Sequence, residues 1–289
     1  MPASRYAPDA GADYSHRLHA GNVGDVWKHC ALVAVLRAVA AQARGVAYVE
    51  THAGEGRYAL HQTGEWTEGI GRLWAESPPR GSLLADYLAL CRRLGMGDER
   101  PASYPGSPAF ARAVLGEGAE LALWEHDERA AERLQGVVDA RVTRGDGLAA
   151  LAGALRAARA DAVVALIDPS WGRKADWQTI PDLLARAART ESRACLMLWY
   201  PVKSLTRPNA MIERLAAAEV AGVAAELVTT PLVHQRHRLN GSGVVLVRAP
   251  AAALDALAAA APEIGARCAT FPGAWSFRMR AFAGKDGIC

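Results

Sequence analysis

Asp168, Pro169, Ser170 and Trp171 follow an apolar segment, 162–167, and place a carboxylate next to a flat aromatic ring. Such a carboxylate can accept a hydrogen bond from an exocyclic amine and take the proton that the amine loses when it is alkylated. Pro169 fixes the backbone so that its carbonyl can accept the second amine hydrogen. Trp171 offers a face for stacking a nucleobase, which is worth about 1–3 kcal/mol. Taken alone, these residues are better explained as a helix-capping aspartate and a core tryptophan.

Carboxylates also follow two other predicted strands. Glu125 ends the segment 120–125, and Asp146 comes just after the segment 141–144. Parallel strands bring their carboxyl ends to one edge of a sheet, where nucleotide-binding folds place their ligands. An acid that closes the second strand can accept hydrogen bonds from ribose hydroxyls. Each acid alone could cap a helix, but the set favours a ligand that carries a nucleoside.

Gly54 and Gly56 follow the predicted strand 46–50 and would let the backbone approach that ligand closely. A tight turn alone would also explain them. No phosphate-binding Gly-x-x-x-x-Gly-Lys-(Ser/Thr) sequence is present, and Glu55 would repel a pyrophosphate at this turn. S-adenosylmethionine carries adenosine and a sulfonium cation but no phosphate, so an acidic pocket suits it. The sequence therefore predicts S-adenosylmethionine as the cofactor.

Apolar segments that alternate with helical patterns predict the framework that positions these groups. Strands are predicted at residues 46–50, 120–125, 141–144, 162–167, 194–199, 224–228 and 243–247. The alternation is typical of a Rossmann-like α/β fold, a parallel sheet covered by helices on both faces. The last two strands are close enough along the chain for an antiparallel hairpin. Helices are predicted at 25–42, from a Ser107 N-cap through 115, and in the alanine-rich segments 215–223 and 251–261.

Residues 56–103 interrupt this alternation and contain a predicted helix near 83–94. A structureless loop of that length is uncommon in a compact domain. We therefore expect a small helical insertion subdomain at 56–103, carried by a core formed from residues 1–55 and 104–289.

Composition places the chain among ordinary globular proteins of a reducing compartment. It has 289 residues, of which 51% are hydrophobic, and a net charge of +3, which is too small to indicate a nucleic-acid partner. Its 5 cysteines are scattered, without a Cys-x-x-Cys pair, so neither a disulfide framework nor a zinc site is expected. No apolar run is long enough to span a membrane and the amino terminus does not resemble a signal peptide. We expect a cytoplasmic monomer without a metal.

Several blocks together resemble one family of amino-methyltransferases. The blocks are His19-Ala20-Gly21-Asn22, Asp25-Val26-x-Lys28-His29, Thr51-His52-Ala53-Gly54-x-Gly56-Arg57-Tyr58, Tyr104-Pro105-Gly106-Ser107-Pro108, Asp168-Pro169-Ser170-Trp171 and Leu198-Trp199-Tyr200-Pro201-Val202. In this order they resemble the RlmJ-type 23S ribosomal RNA adenine-N6 methyltransferases, over about residues 14–277. The set is specific, although no single block is.

This resemblance implies a class I S-adenosylmethionine-dependent methyltransferase fold with a small helical insertion. It also implies direct methyl transfer to the N6 amine of a flipped-out adenine in 23S rRNA, with no metal. The family's cofactor-contacting residues match His29, His52, Ser107, Glu125, Asp146, Gly147 and Asp168. Asp168 also matches the catalytic acid, and Tyr14 matches a tyrosine that handles the RNA. Lys28 is expected beside the RNA, although its position also suits a neighbour of the cofactor.

One position departs from the family pattern, because Ser170 stands where the motif has a second proline and Trp171 where it usually has tyrosine. Losing a proline costs about 0.4–1 kcal/mol of backbone preorganisation. We expect an active enzyme, although a slow one is compatible with this change. DNA adenine methylation, protein glutamine methylation and a catalytically weakened RNA-binding assembly factor are the alternatives.

Overall fold

A computed structural model of the protein describes residues 19–95, 97, 99–234 and 239–283. In chain order its strands are β1 (Val46–Glu50), β2 (Arg57–Ala59), β3 (Ser103–Pro105), β4 (Leu121–Glu125), β5 (Arg141–Arg144), β6 (Ala162–Ile167), β7 (Ala194–Val202), β8 (Gly222–Val228), β9 (Gly241–Val247) and β10 (Ser276–Phe282). The helices are α1 (Val23–Ala40), α2 (Ile70–Leu73), α3 (Leu83–Gly95), α4 (Ser107–Leu115), α5 (Glu128–Gln135), α6 (Gly147–Ala157), α7 (Asp176–Thr190), α8 (Thr206–Ala217) and α9 (Ala251–Cys268), with a short 3-10 helix at Glu65–Glu68.

A central sheet of 8 strands has the order β10-β8-β9-β7-β6-β1-β4-β5. Strands β5, β4, β1, β6 and β7 are parallel, whereas β9 is antiparallel to both β7 and β8. The parallel part has the reversal of strand order between β1 and β6 that marks the ligand-binding edge of Rossmann-like sheets. The predicted fold class and the antiparallel pairing of β8 with β9 are therefore confirmed.

Helices cover both faces of this sheet because its central strands are apolar on both sides. On one face, Tyr48 and Leu166 pack in a core with residues of α1, α3, α4 and α9. On the other face, Val49 and Ala165 pack with residues of α6, α7 and α8. The two layers hold the carboxyl ends of β1, β4, β6 and β7 at one fixed edge.

The predicted insertion is bounded by a short antiparallel ribbon of β2 and β3, with α2 and α3 between the two strands, and β3 continues past residue 103 to Pro105. Helix α3 packs against α1, α4 and α9. Its buried Tyr87 stacks on Phe110 of α4 at 5.6 Å between ring centroids. The segment is thus joined to the main core by buried aromatic contacts, and its treatment as a separate subdomain stays a prediction.

Two local expectations are wrong, and three strands, the short β2 and β3 and the edge strand β10, were not predicted. Gly106, in an extended conformation, takes the N-cap position of α4 in place of Ser107. The helix predicted at 215–223 ends instead at Ala217, because Glu219 adopts φ +60° and the Val220 N–H returns to the Leu215 carbonyl. Strand β10 at the sheet edge was missed. No helix among the described residues is long and apolar enough to cross a membrane.

Candidate active site

A cavity of about 480 Å³ opens at the carboxyl ends of the parallel strands. It extends over β4, β1, β6 and β7, across the point where the strand order reverses. Its lining includes most of the predicted site residues, namely Lys28, His29, His52, Ser107, Glu125, Asp168, Pro169 and Trp171. The sequence blocks that lie far apart along the chain therefore meet at one site.

Helix α1 carries a lysine into this site. Asn22 caps the helix by accepting a hydrogen bond from the Asp25 N–H, which fixes the first turn. Lys28 is only 8% exposed, and its Nζ lies 2.6 Å from Asp168 Oδ2 and 2.8 Å from Asp25 Oδ1. Asp168 at the end of β6 is thereby held through one oxygen. Its Oδ1 receives no hydrogen bond from any residue that the structure describes.

The opposite charges of Lys28, Asp25 and Asp168 stabilise one another. Burial lowers the pKa of Lys28, but the carboxylates of Asp168 and Asp25 outweigh burial and raise it above its usual value. Burial raises the pKa of Asp25, but the charge and hydrogen bond of Lys28 outweigh it, so the net change is downward. Lys28 is therefore a permanent cation between two acids at neutral pH.

His29 is the next residue on α1 and is 2% exposed. Its Nδ1 lies 2.7 Å from the Tyr104 hydroxyl, which in turn contacts the Tyr87 hydroxyl at 2.9 Å. Burial, together with the charge of Lys28, lowers the pKa of His29 to about 3, so its ring is neutral at pH 7. Its Nε2 is buried and has no hydrogen-bond partner among the described residues. A ligand in the cavity can supply that partner.

A buried acid lies beneath the cavity at the end of β1. Glu50 is fully buried, and its carboxyl contacts the hydroxyls of Ser107 and Tyr48. Burial raises the pKa of Glu50 to about 8, although the hydrogen bonds from Ser107 and Tyr48 oppose the increase. Glu50 is therefore mostly protonated at neutral pH. This network explains why Ser107 points into the sheet edge instead of capping α4.

Replacing Glu50 with glutamine should change how stability depends on pH. The pKa of Glu50 rises from an ordinary 4.5 in the unfolded chain to about 8 in the folded protein. The folded state therefore binds a proton that the unfolded state has released, and wild-type stability falls as pH rises from 4.5 through 8. Glutamine keeps the shape without titrating. In urea unfolding between pH 5 and 8.5, we expect wild type to lose free energy of unfolding relative to Glu50→Gln. A constant difference at all pH values would contradict this.

The turn after β1 is hydrogen-bonded to Glu125 at the end of β4. Glu125 accepts hydrogen bonds from the Gly54 N–H at 2.7 Å and from the Asp127 N–H at 2.9 Å. A carboxylate has further lone pairs, so Glu125 can still accept from another donor. Gly54 has φ +62°, and a Cβ there would lie 2.0 Å from the Tyr58 hydroxyl. Glycine is thus required by both conformation and space, as expected for a turn that approaches a ligand.

Three predicted features, Asp146, Gly147 and Glu55, do not line the cavity. The exposed Asp146 caps α6 by accepting hydrogen bonds from Leu148 and Ala149, and it does not line the cavity. Gly147 packs behind the cavity, where a Cβ would lie 2.2 Å from the Thr51 carbonyl. Glu55 pairs with Arg133 at 2.6 Å and is not a lining residue either, so its expected repulsion of a pyrophosphate is not supported. Tyr14 lies outside the described residues.

Trp171 is more buried than expected for an aromatic side chain whose face is open for stacking a base. It is 8% exposed, its Nε1 donates to the Trp199 carbonyl at 3.0 Å, and its ring lies 4.3 Å from that of Trp177. Its φ of +55° is unusual for a large side chain and is held by these contacts. Half-buried Trp177 and Trp199 also line the cavity. The aromatic surface is therefore formed by three indoles.

Sequence reasoning missed four of these residues as members of the site. Asp25 had a usable signal, since it lies three positions before Lys28 and so shares a helix face with it. Glu50 also had one, because it is an acid at the end of an otherwise apolar strand. Trp199 stands in one of the blocks that resemble the family but was given no role in the site, and Trp177 had no signal in its spacing. Among the described residues, no group of His, Cys, Asp or Glu side chains could hold a metal ion.

Comparisons with known proteins show which family this chain is similar to. A family model described as "Ribosomal RNA large subunit methyltransferase D, RlmJ" matches residues 43–280. Two similar proteins are named "Ribosomal RNA large subunit methyltransferase J". The one from Escherichia coli K12 is 30% identical and the one from Haemophilus influenzae is 29% identical, each over 82% of this chain and 87% of the relative.

A solved structure shares the fold over almost the whole chain. Protein LPL1258 from Legionella pneumophila is 26% identical and superposes with a TM-score of 0.82. The match covers 93% of this chain and 99% of the other.

Proposed function

The chain belongs to the RlmJ family of large-subunit ribosomal RNA methyltransferases, and we propose that it methylates the exocyclic N6 amine of one adenine in 23S rRNA. One contact supports this proposal most directly. Asp168 is held through Oδ2 by the buried Lys28, which leaves Oδ1 at the cavity to accept a hydrogen bond from an amine.

The residues around the cavity fit S-adenosylmethionine, the cofactor of this family. Glu125 and His52 lie at the β1–β4 end, where Glu125 can accept from ribose hydroxyls. His29 has a buried Nε2 without a partner, and Ser107 lies near it on the same wall. Gly147 packs against the Thr51 carbonyl in the turn after β1, and neither Gly147 nor Asp146 lines the cavity. When bound, the cofactor supplies an electrophilic methyl group.

Asp168 and Pro169 orient the amine. Asp168 Oδ1 accepts one amine hydrogen and the Pro169 carbonyl accepts the other, which turns the nitrogen lone pair towards the methyl donor. As the new C–N bond forms, the bond between the methyl group and the sulfonium sulfur would break, leaving a neutral thioether, and the amine loses a proton to Asp168 or to water. Lys28 is a positioning residue, because it fixes the carboxylate without touching the base. This step requires no metal.

The target adenine must leave its helix or loop stack to reach the cavity. We propose that it stacks against the indoles of Trp171 and Trp177, with Trp171 held rigidly by Trp199. A second proline in place of Ser170 would restrict the backbone of residues 168–171. In this chain the hydrogen bond and the ring contacts of Trp171 restrict it instead. The serine therefore remains compatible with catalysis.

Methyl transfer from tritiated S-adenosylmethionine tests the substrate class. Separate reactions contain unmodified 23S rRNA transcribed in vitro, adenine-rich duplex DNA, and a protein extract freed of nucleic acid. We expect label in the RNA reaction alone. Label in DNA or protein, with none in RNA, would contradict the proposed function and favour one of the other amino-methyltransferase classes.

A further inference from the structure

The cavity has two electrostatically different ends. Its β4–β1 end contains the acid Glu125, and its centre contains the Asp25–Lys28–Asp168 group. The β7 end is different, because the chain that leaves β7 places Lys203 and Arg207 in the lining. Since β7, β6, β1 and β4 are consecutive neighbours in the sheet, Asp168 lies between the acidic end and the basic end.

Lys203 and Arg207 are exposed, and neither forms a salt bridge with any carboxylate that the structure describes. Other arginines near the same edge of the sheet are paired. Arg173 lies 3.2 Å from Asp176, and Arg133 lies 2.6 Å from Glu55. The two cations beside β7 are therefore free, among the described residues, to meet an external anion.

The position of this anion follows from the order of groups along the cavity. The cationic cofactor suits the acidic end, and the amine to be methylated must lie at Asp168 in the centre. A nucleotide whose base enters at the centre continues as a sugar-phosphate chain, and phosphates are the anions that lysine and arginine bind most readily. The β7 end is the side of Asp168 away from the acids, so the chain can leave there without repulsion.

We propose that Lys203 and Arg207 bind the phosphates of the RNA strand next to the flipped adenine. This docking surface rests on the proposed function, because it takes the RNA substrate as its partner. It sets the direction in which the strand crosses the site and contributes to affinity without reading sequence.

Binding of unmodified 23S rRNA transcript, measured by filter retention over a range of salt concentrations, tests the docking surface. In Lys203→Ala/Arg207→Ala we expect the Kd for RNA to rise by about 10-fold, and the slope of log affinity against log salt to decrease by about 1.4, or 0.7 for each lost phosphate contact. The Kd for S-adenosylmethionine should not change. The charge-conserving pair Lys203→Arg/Arg207→Lys should retain RNA binding.

The matched control is Arg156→Ala/Arg159→Ala, which removes two exposed arginines near the end of α6, away from the cavity. RNA affinity and salt slope equal to those of this control would overturn the docking proposal. A wild type that binds RNA through Lys203 and Arg207 but transfers no methyl group would overturn the proposed function and leave the docking surface standing. A wild type that does not bind RNA would overturn both.

Discussion

Replacing Asp168 with alanine is expected to reduce kcat for methyl transfer by about 100- to 10,000-fold, the range for losing a positioned acid–base group. Alanine removes the acceptor for the amine hydrogen and for its proton, while the Pro169 carbonyl remains. Lys28 keeps Asp25 as a partner at 2.8 Å, so the variant should fold. Single-turnover transfer to 23S rRNA, with cofactor affinity measured separately, distinguishes a chemical effect from a binding effect.

Asp182→Ala is the matched control for this variant. Asp182 forms an exposed salt bridge with Arg214 at 2.7 Å, and neither residue lines the cavity. Exposed pairs contribute about 0–1 kcal/mol, so this change should leave kcat and stability nearly unaltered. If Asp168→Ala kept a kcat within a few-fold of Asp182→Ala, the assigned chemistry would be wrong.

Lys28→Met should lower both the free energy of unfolding and the rate of methyl transfer. It leaves the carboxylates of Asp25 and Asp168 close together without their shared cation, and breaking a buried ion pair in this way costs about 3–5 kcal/mol. We expect the lower end of that range, because the two carboxylates keep 22% and 16% of their side-chain exposure. Methyl transfer should also fall, since Asp168 is no longer held through Oδ2. Urea unfolding and single-turnover kinetics measure the two effects.

A second substitution distinguishes two causes of the lower stability of Lys28→Met, namely repulsion between Asp25 and Asp168 and the loss of the packed Lys28 side chain. Asp25→Asn in the Lys28→Met background removes one of the two unneutralised carboxylates, so it should restore part of the free energy of unfolding without restoring kcat. Lys174→Met, at an exposed lysine after Trp171, controls for the loss of a lysine at the surface. A Lys28→Met protein as stable as Lys174→Met would show that the buried ion group is unimportant for folding.

The parallel core could be predicted because its strands are continuous apolar runs between helical patterns. Residues 162–167 and 46–50 were predicted with the bounds observed for β6 and β1. Strand β10 could not be predicted in the same way. It is a partly exposed edge strand, and its Arg278 and Arg280 face polar partners, among them the buried Glu226, 2.7 Å from Arg278. An arginine that stabilises a strand through a distant acid leaves no apolar signal.

The sequence predicted which acids follow the parallel strands, but each of them had two possible roles, contact with a ligand or the capping of a helix. Asp168 lies in the cavity. Asp146 is the cap of α6. The pairing of Lys28 with Asp168 depends on how α1 crosses the sheet edge, which spacing along the chain does not reveal.

The identity of the methylated nucleoside tests the central claim most directly. Unmodified 23S rRNA is incubated with the protein and methyl-labelled S-adenosylmethionine, digested to nucleosides and separated by chromatography with mass detection. We expect labelled N6-methyladenosine, at most one per RNA molecule, and none with Asp168→Ala. Label in any other nucleoside, or equal labelling by wild type and Asp168→Ala, would contradict it.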